Sequence, residues 1–189
     1  MYGFGLVPLL EHGNTLVIES DVVVKYIAQV INDRDGMGDN LYPGDEESCE
    51  HVEKFVQVWE DVTSEYYGVL SARSQKEAVG YVKSFTRALL EVDDLLKKND
   101  GDFILGEHFS YAECISAPCI QRAFVTLPYF RGIDFEKELL SQMENVSNWM
   151  KSVRERPSCA ETCCPESEMI AAAKRYYVSF VSPGAQGYL

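Results

Sequence analysis

No apolar run in this chain approaches the ~20 residues needed to cross a bilayer as a helix, and no basic segment followed by a long apolar stretch stands at its start. The sequence therefore carries neither a transmembrane segment nor a secretory signal, and the cytoplasm is the expected location. Cations are also scarce. Seventeen Lys and Arg face thirty Asp and Glu, a formal charge of −13 at pH 7, so the average field repels phosphate backbones and anionic lipid, and nucleic acid is excluded as an expected partner. No Cys-x-x-Cys pair occurs among the six cysteines, and His12, His51 and His108 are far from the cluster Cys159, Cys163 and Cys164. A structural metal needs four well-spaced ligands, so no metal is expected. An exposed, oxidisable thiol tail is the plainer reading of the cluster, while Cys114 and Cys119 are expected in the core. Internal repeats and low-complexity segments are absent too.

What remains is ordinary globular material. With 46% hydrophobic, 25% charged and 12% aromatic residues in 189, the composition is that of a folded soluble chain. A chain of this length buries roughly 70% of its unfolded surface without staples.

The stretch "GLVPLLEHGNTLVIES" packs two apolar runs, a turn and a helix start into 16 residues. Val7–Glu11 and Leu16–Ile18 read as antiparallel strands joined by the Gly-Asn turn of "HGNT". Ser20 precedes "DVVVKYIAQVI" and, with Asp21 behind it, suits a helix N-cap; that helix is expected to reach about Ile31. The polar, Gly- and Asp-rich run from Asn32 to Glu47 reads as a linker, with only Met37, Leu41 and Tyr42 able to dock.

Beyond the linker, apolar spacing of three and four predicts helices throughout. Val52, Phe55, Val56, Trp59, Val62 and Tyr66 mark one face of a first long helix. Val82, Phe85, Leu89, Val92 and Leu96 mark a second, antiparallel to it and stopped near Gly101. Ser110 and Glu113 form an S-x-x-E capping box that opens a third, in which Pro118 predicts a kink. A fourth is expected to carry Leu139, Met143, Val146, Met150 and Val153 and to stop at Pro157.

Taken together and in this order, "LVPLLE" with its hairpin and "ES", "LYP", "FSYAECISAPCIQR" and "NVSNWMKSVRERP" resemble the glutathione transferase superfamily. "GLVPLLE" and the "SAPCIQR" helix look closest to the cysteine-dependent omega and lambda classes. The resemblance implies a mainly α fold: a partial thioredoxin-like ββα unit (residues 1–32), a linker (33–45) and an all-helical C-terminal domain (46–189). It also implies glutathione as ligand or cosubstrate. Val7-Pro8 matches the family's cis-proline dipeptide, whose preceding residue offers its backbone to the cysteinyl part of glutathione. Glu19-Ser20 matches the acidic-Ser pair that holds the γ-glutamyl end. Physical chemistry agrees: that end carries an ammonium and a carboxylate, for which Glu19 and a helix mouth with Ser20 are complementary. Read from the residues alone, Ser20 is as consistent with a plain N-cap. Trp59, Tyr66 and Tyr67 read either as core or as the lining of an acceptor pocket. Lys174, Arg175, Tyr176 and Tyr177 belong to a tail that either folds over the site or is surface.

The resemblance places the family's activating Cys, Ser or Tyr in a βαβ unit that this sequence does not contain, so no catalytic residue is assigned; Cys49 is nearest in sequence, and no motif supports it. The expected function is a non-catalytic glutathione-transferase-like subunit or binding module. The alternative is a glutathione-dependent thiol transferase whose N-terminus lies roughly 50 to 70 residues upstream, the size of a βαβ unit plus leader, with a plastid location then open. Without a neighbouring strand, Val7–Glu11 would present a bare edge flanked by Leu6, Val7, Leu9 and Leu10, which a protein partner or a second copy is expected to cover.

Overall fold

The structure, a computed structural model, describes residues 7–31, 40–98 and 100–188. Leu6, Met37 and most of the expected linker fall outside them. A two-stranded antiparallel hairpin, β1 (Leu9–His12) and β2 (Thr15–Ile18), opens the described chain with the register Leu9↔Ile18 through His12↔Thr15. Gly13 takes φ +61° at the first position of the two-residue turn, the conformation glycine accepts at no steric cost and which matches the twist of the flanking strands. α1 (Ser20–Tyr26) follows and continues as a π-helical stretch over Ile27–Ile31.

The remainder is helical. α2 (Glu46–Ser71) and α3 (Gln75–Leu96) form the central pair, joined by three residues. Each starts on a side-chain cap: Ser48 N–H donates to Asp45 at 2.8 Å, and Glu77 N–H to Ser74 at 3.3 Å. The expected apolar stripes bury as a single core, in which Phe55, Trp59 and Trp149 pack ring against ring at centroid distances of 5.2–5.9 Å. Mid-helix Gly68 has a packing reason. A Cβ there would stand 2.3 Å from the Tyr81 ring of α3, so only glycine lets the two helices meet at this point.

α4 (Tyr111–Arg131) runs through Pro118 and Pro128 to Gly132, whose φ of +69° ends it. Its start is held by the capping box. Glu113, fully buried, accepts from Ser110 N–H (2.8 Å) and Ser110 Oγ (2.7 Å) on one oxygen, and from Ile104 N–H (2.8 Å) and Trp149 Nε1 (3.3 Å) on the other.

Two expectations need correction. The fourth helix is broken: a π-helical turn (Phe135–Leu140) carries Leu139, and α5 (Glu144–Glu155) begins afresh after a non-helical Met143. The reason is a distant cap, since the Asp93 carboxylate of α3 accepts from Val146 N–H at 3.0 Å and Asn145 Nδ2 at 3.1 Å. Nor is the C-terminal part a loose tail of exposed thiols. α6 (Pro157–Glu161) and α7 (Glu166–Tyr176) lie there; Cys159 is buried, and only Cys163 and Cys164 of that cluster are exposed. Cys119 is in the core and Cys114 half-buried. No helix among the described residues is long and apolar enough to cross a membrane.

Glu113→Ala would strip the acceptor from four donors, three of them amide or indole N–H. We expect it to lower the unfolding free energy by about 3 kcal/mol, read as a fall in the urea midpoint at constant slope. A loss under about 1 kcal/mol would mean that these donors find other partners.

Candidate functional site

The hairpin register builds the site. Because Leu9 pairs with Ile18, the next residues outward, Pro8 and Glu19, flank the same end of the ladder, and two motif pieces eleven positions apart meet at the head of α1. The Val7–Pro8 peptide bond is cis. Val7, Glu19 and Ser20 are exposed.

Glu19 takes φ +70°, ψ 130°, and is the one non-glycine residue with positive φ among the described residues. Such a conformation costs a non-glycine residue of order 1–3 kcal/mol and tends to persist where function requires it. The consequence corrects the expected capping. Ser20 is not the N-cap; it is the first helical residue, Glu19 occupies the cap position, and no side-chain hydrogen bond caps α1. The Glu19 carbonyl does accept from Val23 N–H at 2.9 Å. Among the described residues no side chain takes the first amides of α1, which lie in the region where a helix favours negative charge.

Ser20 and Asp21 stand on one wall of a cavity of about 570 Å³, whose other walls come from α2 (Trp59, Thr63, Tyr67) and α4 (Cys119, Arg122). α1 is moored to α2 by the Lys25–Glu53 ion pair at 2.6 Å, which raises the Lys25 ammonium above its usual range. A second cavity of about 500 Å³ lies between α2, α4, α6 and α7 and shares Tyr67, Cys114, Pro118 and Arg122 with the first.

The aromatic stripe divides between the two earlier readings. Trp59 is 2% exposed and its Nε1 has no hydrogen-bond partner among the described residues; Tyr66 is wholly buried and bonded to Thr126 Oγ1 at 2.8 Å. Tyr67 lies on the cavity boundary, taking a hydrogen bond from Arg122 Nη1 at 3.0 Å, with Tyr177 packed on its ring at 4.8 Å. Of the tail residues, Tyr177 folds onto the second cavity, whereas Lys174, Arg175 and Tyr176 are surface.

Burial acts against thiolate and phenolate. It pushes the Cys114 thiol up to about 11, Cys119 up to about 12, and the Tyr67 phenol above its ordinary value. Cys49 is spent locally, its Sγ on the Pro43 carbonyl at 3.3 Å. No group of three or more His, Cys, Asp or Glu among the described residues could hold a metal ion.

Arg122 went unmarked in the sequence reading, although the quoted "FSYAECISAPCIQR" contains it. Its spacing was the available signal: Cys114, Pro118 and Arg122 recur every four residues and form one face of α4.

Residues 50–152 match the family model described as glutathione S-transferase, C-terminal domain. The chain is 23% identical over 178 residues to glutathione S-transferase L3 of Arabidopsis thaliana, covering 94% of this chain and 69% of that protein. Among solved structures it is similar to glutathione transferase Omega 3C from Trametes versicolor (TM-score 0.72, 19% identity, 90% of this chain and 70% of that one). A glutathione S-transferase from Methylobacillus flagellatus, solved with glutathione bound, matches at TM-score 0.59 and 18% identity, over 79% of this chain and 71% of that one.

Glu19→Gly tests the strain directly. Relief of the positive φ should outweigh the added chain entropy, so we expect a net gain of about 1 kcal/mol in urea unfolding, with none for Glu19→Ala. A loss of similar size in Glu19→Gly would assign the carboxylate to the fold instead.

Proposed function

This chain belongs to the glutathione S-transferase superfamily, and from that footing we propose that it is a glutathione-binding module that holds the tripeptide without activating its sulfur. The observation that carries the reading is Glu19: a strained, solvent-facing residue at the head of a helix whose first residue, Ser20, lines a cavity. The ammonium of the γ-glutamyl group meets the Glu19 carboxylate, its carboxylate takes the Ser20 hydroxyl and the free α1 amides, and the Val7 backbone beside Pro8 receives the cysteinyl part. Support for the non-activating half comes from the thiols and phenols: burial holds Cys114, Cys119 and Tyr67 in their neutral forms, the opposite of what a nucleophile or activator needs. The same proposal divides the chain into a partial thioredoxin-like unit (1–32), a linker (33–45) and a helical domain (46–189), with the cytoplasm as its location.

A second reading, a glutathione-dependent transferase, draws on the cavity itself, since about 570 Å³ beside Ser20 would seat an acceptor. Intact mass of the native protein, with turnover measured on the same sample, separates the two.

A protein partner belongs to the same proposal. Six of the ten exposed large apolar residues among the described ones fall between Val7 and Ile27, with Leu9, Leu16, Ile18 and Val22 among them, and β1 pairs only with β2 among the described residues. A bare strand edge with apolar side chains invites pairing with another chain, and another protein chain or a second copy would cover it.

Two outcomes are expected. The chain should be retained on immobilised glutathione, with Glu19→Gln and Ser20→Ala each weakening retention about tenfold, the scale of one charge-assisted hydrogen bond; retention equal to both variants would remove the ligand. In sedimentation the purified chain should run heavier than its 21.3 kDa and return to that mass in Leu9→Lys, whereas a wild-type monomer would remove the homodimer.

A further inference from the structure

Four of the six cysteines lie where α4, α6 and α7 meet, and three of them, Cys114, Cys159 and Cys164, line the second cavity. Glutathione binding gives them no part. Cys114 and Cys159 are the pair that belongs together. Cys114 stands on the face of α4 that also carries Gln121, two turns further on, and the Gln121 side chain donates to the Cys159 carbonyl at 3.0 Å. Burial pushes the Cys114 thiol up to about 11, and the charge of Cys159 is the next cause of that rise; Glu113 and Arg156 act on both sulfurs. Two sulfurs that feel each other and the same two charges lie close together, because such influence falls away with distance. Burial raises the Cys159 thiol as well, against a Ser158 hydrogen bond and the Arg156 charge, which both favour the thiolate.

The remaining thiols are committed elsewhere. Cys119 is buried toward Thr63 of α2, and Cys49 is on the Pro43 carbonyl. The Cys164 thiol is raised by desolvation and then by the Glu168 carboxylate at 3.7 Å. Cys163 and Cys164 are neighbours in sequence, with Cα atoms about 3.8 Å apart, less than the roughly 4.4 Å at which unstrained disulfides begin. α6 suits the adjustment a bond to α4 requires. It has five residues, starts at Pro157 and carries no side-chain cap, so a small shift of this element alone can bring Cys159 to bonding distance.

We propose that Cys114 and Cys159 form an oxidation site, a thiol pair that a small peroxide converts into a disulfide latch between α4 and α6. The Cys159 thiolate attacks one peroxide oxygen and the O–O bond breaks, leaving a sulfenic acid on Cys159 and releasing hydroxide; the Cys114 thiolate then attacks that sulfur and expels its hydroxide. With hydrogen peroxide the two thiol protons leave in two water molecules, the sulfurs are oxidised and the peroxide is reduced. A dithiol reverses the bond by exchange. A thiol that burial holds mostly neutral reacts slowly, so the site undergoes a single oxidation and does not turn over. The bond fixes α6 as a wall of the second cavity. Its formation needs no glutathione and does not rest on that reading.

The test treats the reduced full chain with hydrogen peroxide in the absence of glutathione, quenches with catalase, and alkylates in urea with iodoacetamide before intact mass and peptide mapping. Of the six thiols, two should escape alkylation with the loss of two hydrogen atoms, and the map should contain the Cys114 and Cys159 peptides joined until dithiothreitol separates them, a result that needs no variant. Cys163→Ser with Cys164→Ser, at two exposed positions, should lose the same two thiols at the same rate, whereas Cys159→Ser should leave Cys114 alkylated. Oxidised wild type should unfold at a higher urea midpoint than the reduced chain, because the crosslink restricts the unfolded state, and dithiothreitol should remove the difference. Cys114 and Cys159 both alkylated after peroxide, a different or an intermolecular pair, or a urea midpoint unchanged by the bond would each overturn the proposal. Retention on immobilised glutathione, run in parallel, bears only on the other reading.

Discussion

Two oxygens of one buried carboxylate tie three segments together. Glu113 takes the Ile104 amide from the loop before α4, the Ser110 amide and hydroxyl from the start of α4, and the Trp149 indole from α5. An ionised carboxylate has roughly four acceptor sites, and here four donors fill them. That completeness is what makes a buried charge tolerable, since a half-satisfied one would cost several kcal/mol. The face of α4 just beyond this cap, from Cys114 to Arg122, forms a wall of both cavities. The angle at which α4 leaves its cap therefore sets the shape of the site.

The same device recurs at other helix ends. Asp93 supplies the cap that α5 lacks locally. Arg131 answers the opposite problem: its guanidinium donates to the Val69 and Leu70 carbonyls near the end of α2 at 2.8 and 2.7 Å, and to the Phe180 carbonyl of the C-terminal segment. A cation at a helix C-terminus and anions at N-termini both complement the backbone dipole. The helical region is thus fixed by buried charges on backbone groups, while ion pairs such as Lys25–Glu53 sit at the surface, where each is worth little.

This division explains what the sequence revealed. The capping box is legible because its partners are three residues apart, the hairpin because Gly13 and Asn14 separate two apolar runs, and the stripes of α2 and α3 because burial repeats with the helix. The break before α5 is illegible, since its cause is a carboxylate more than fifty residues away. Cys159 looked exposed because its neighbours Cys163 and Cys164 are polar-flanked; it is buried by the packing of α6, a helix of five residues that no local periodicity announces. At the site, Glu19-Ser20 could be found by motif, but the assignment of Ser20 as cap was wrong for a backbone reason. A dihedral angle at Glu19 moved the helix start by one residue, and residue type does not encode that angle.

The charge of the chain sharpens what such a site must do. With −13 overall, distant carboxylates would disfavour any anion, yet at physiological salt their reach is about 8 Å, so recognition is decided by whatever lies within that radius. Among the described residues the positive features on these cavities are local: the head of α1 and the guanidinium of Arg122, which donates to the Tyr67 hydroxyl. Ser20 at that head, Tyr67 and Arg122 all line one cavity. A site assembled this way draws no long-range steering from the protein, so its on-rate should be ordinary and its selectivity should come from the short-range fit of donors to oxygen atoms. That ties the strain at Glu19 to the cap at Glu113: the first leaves one set of donors open, the second aims the helix that presents the other.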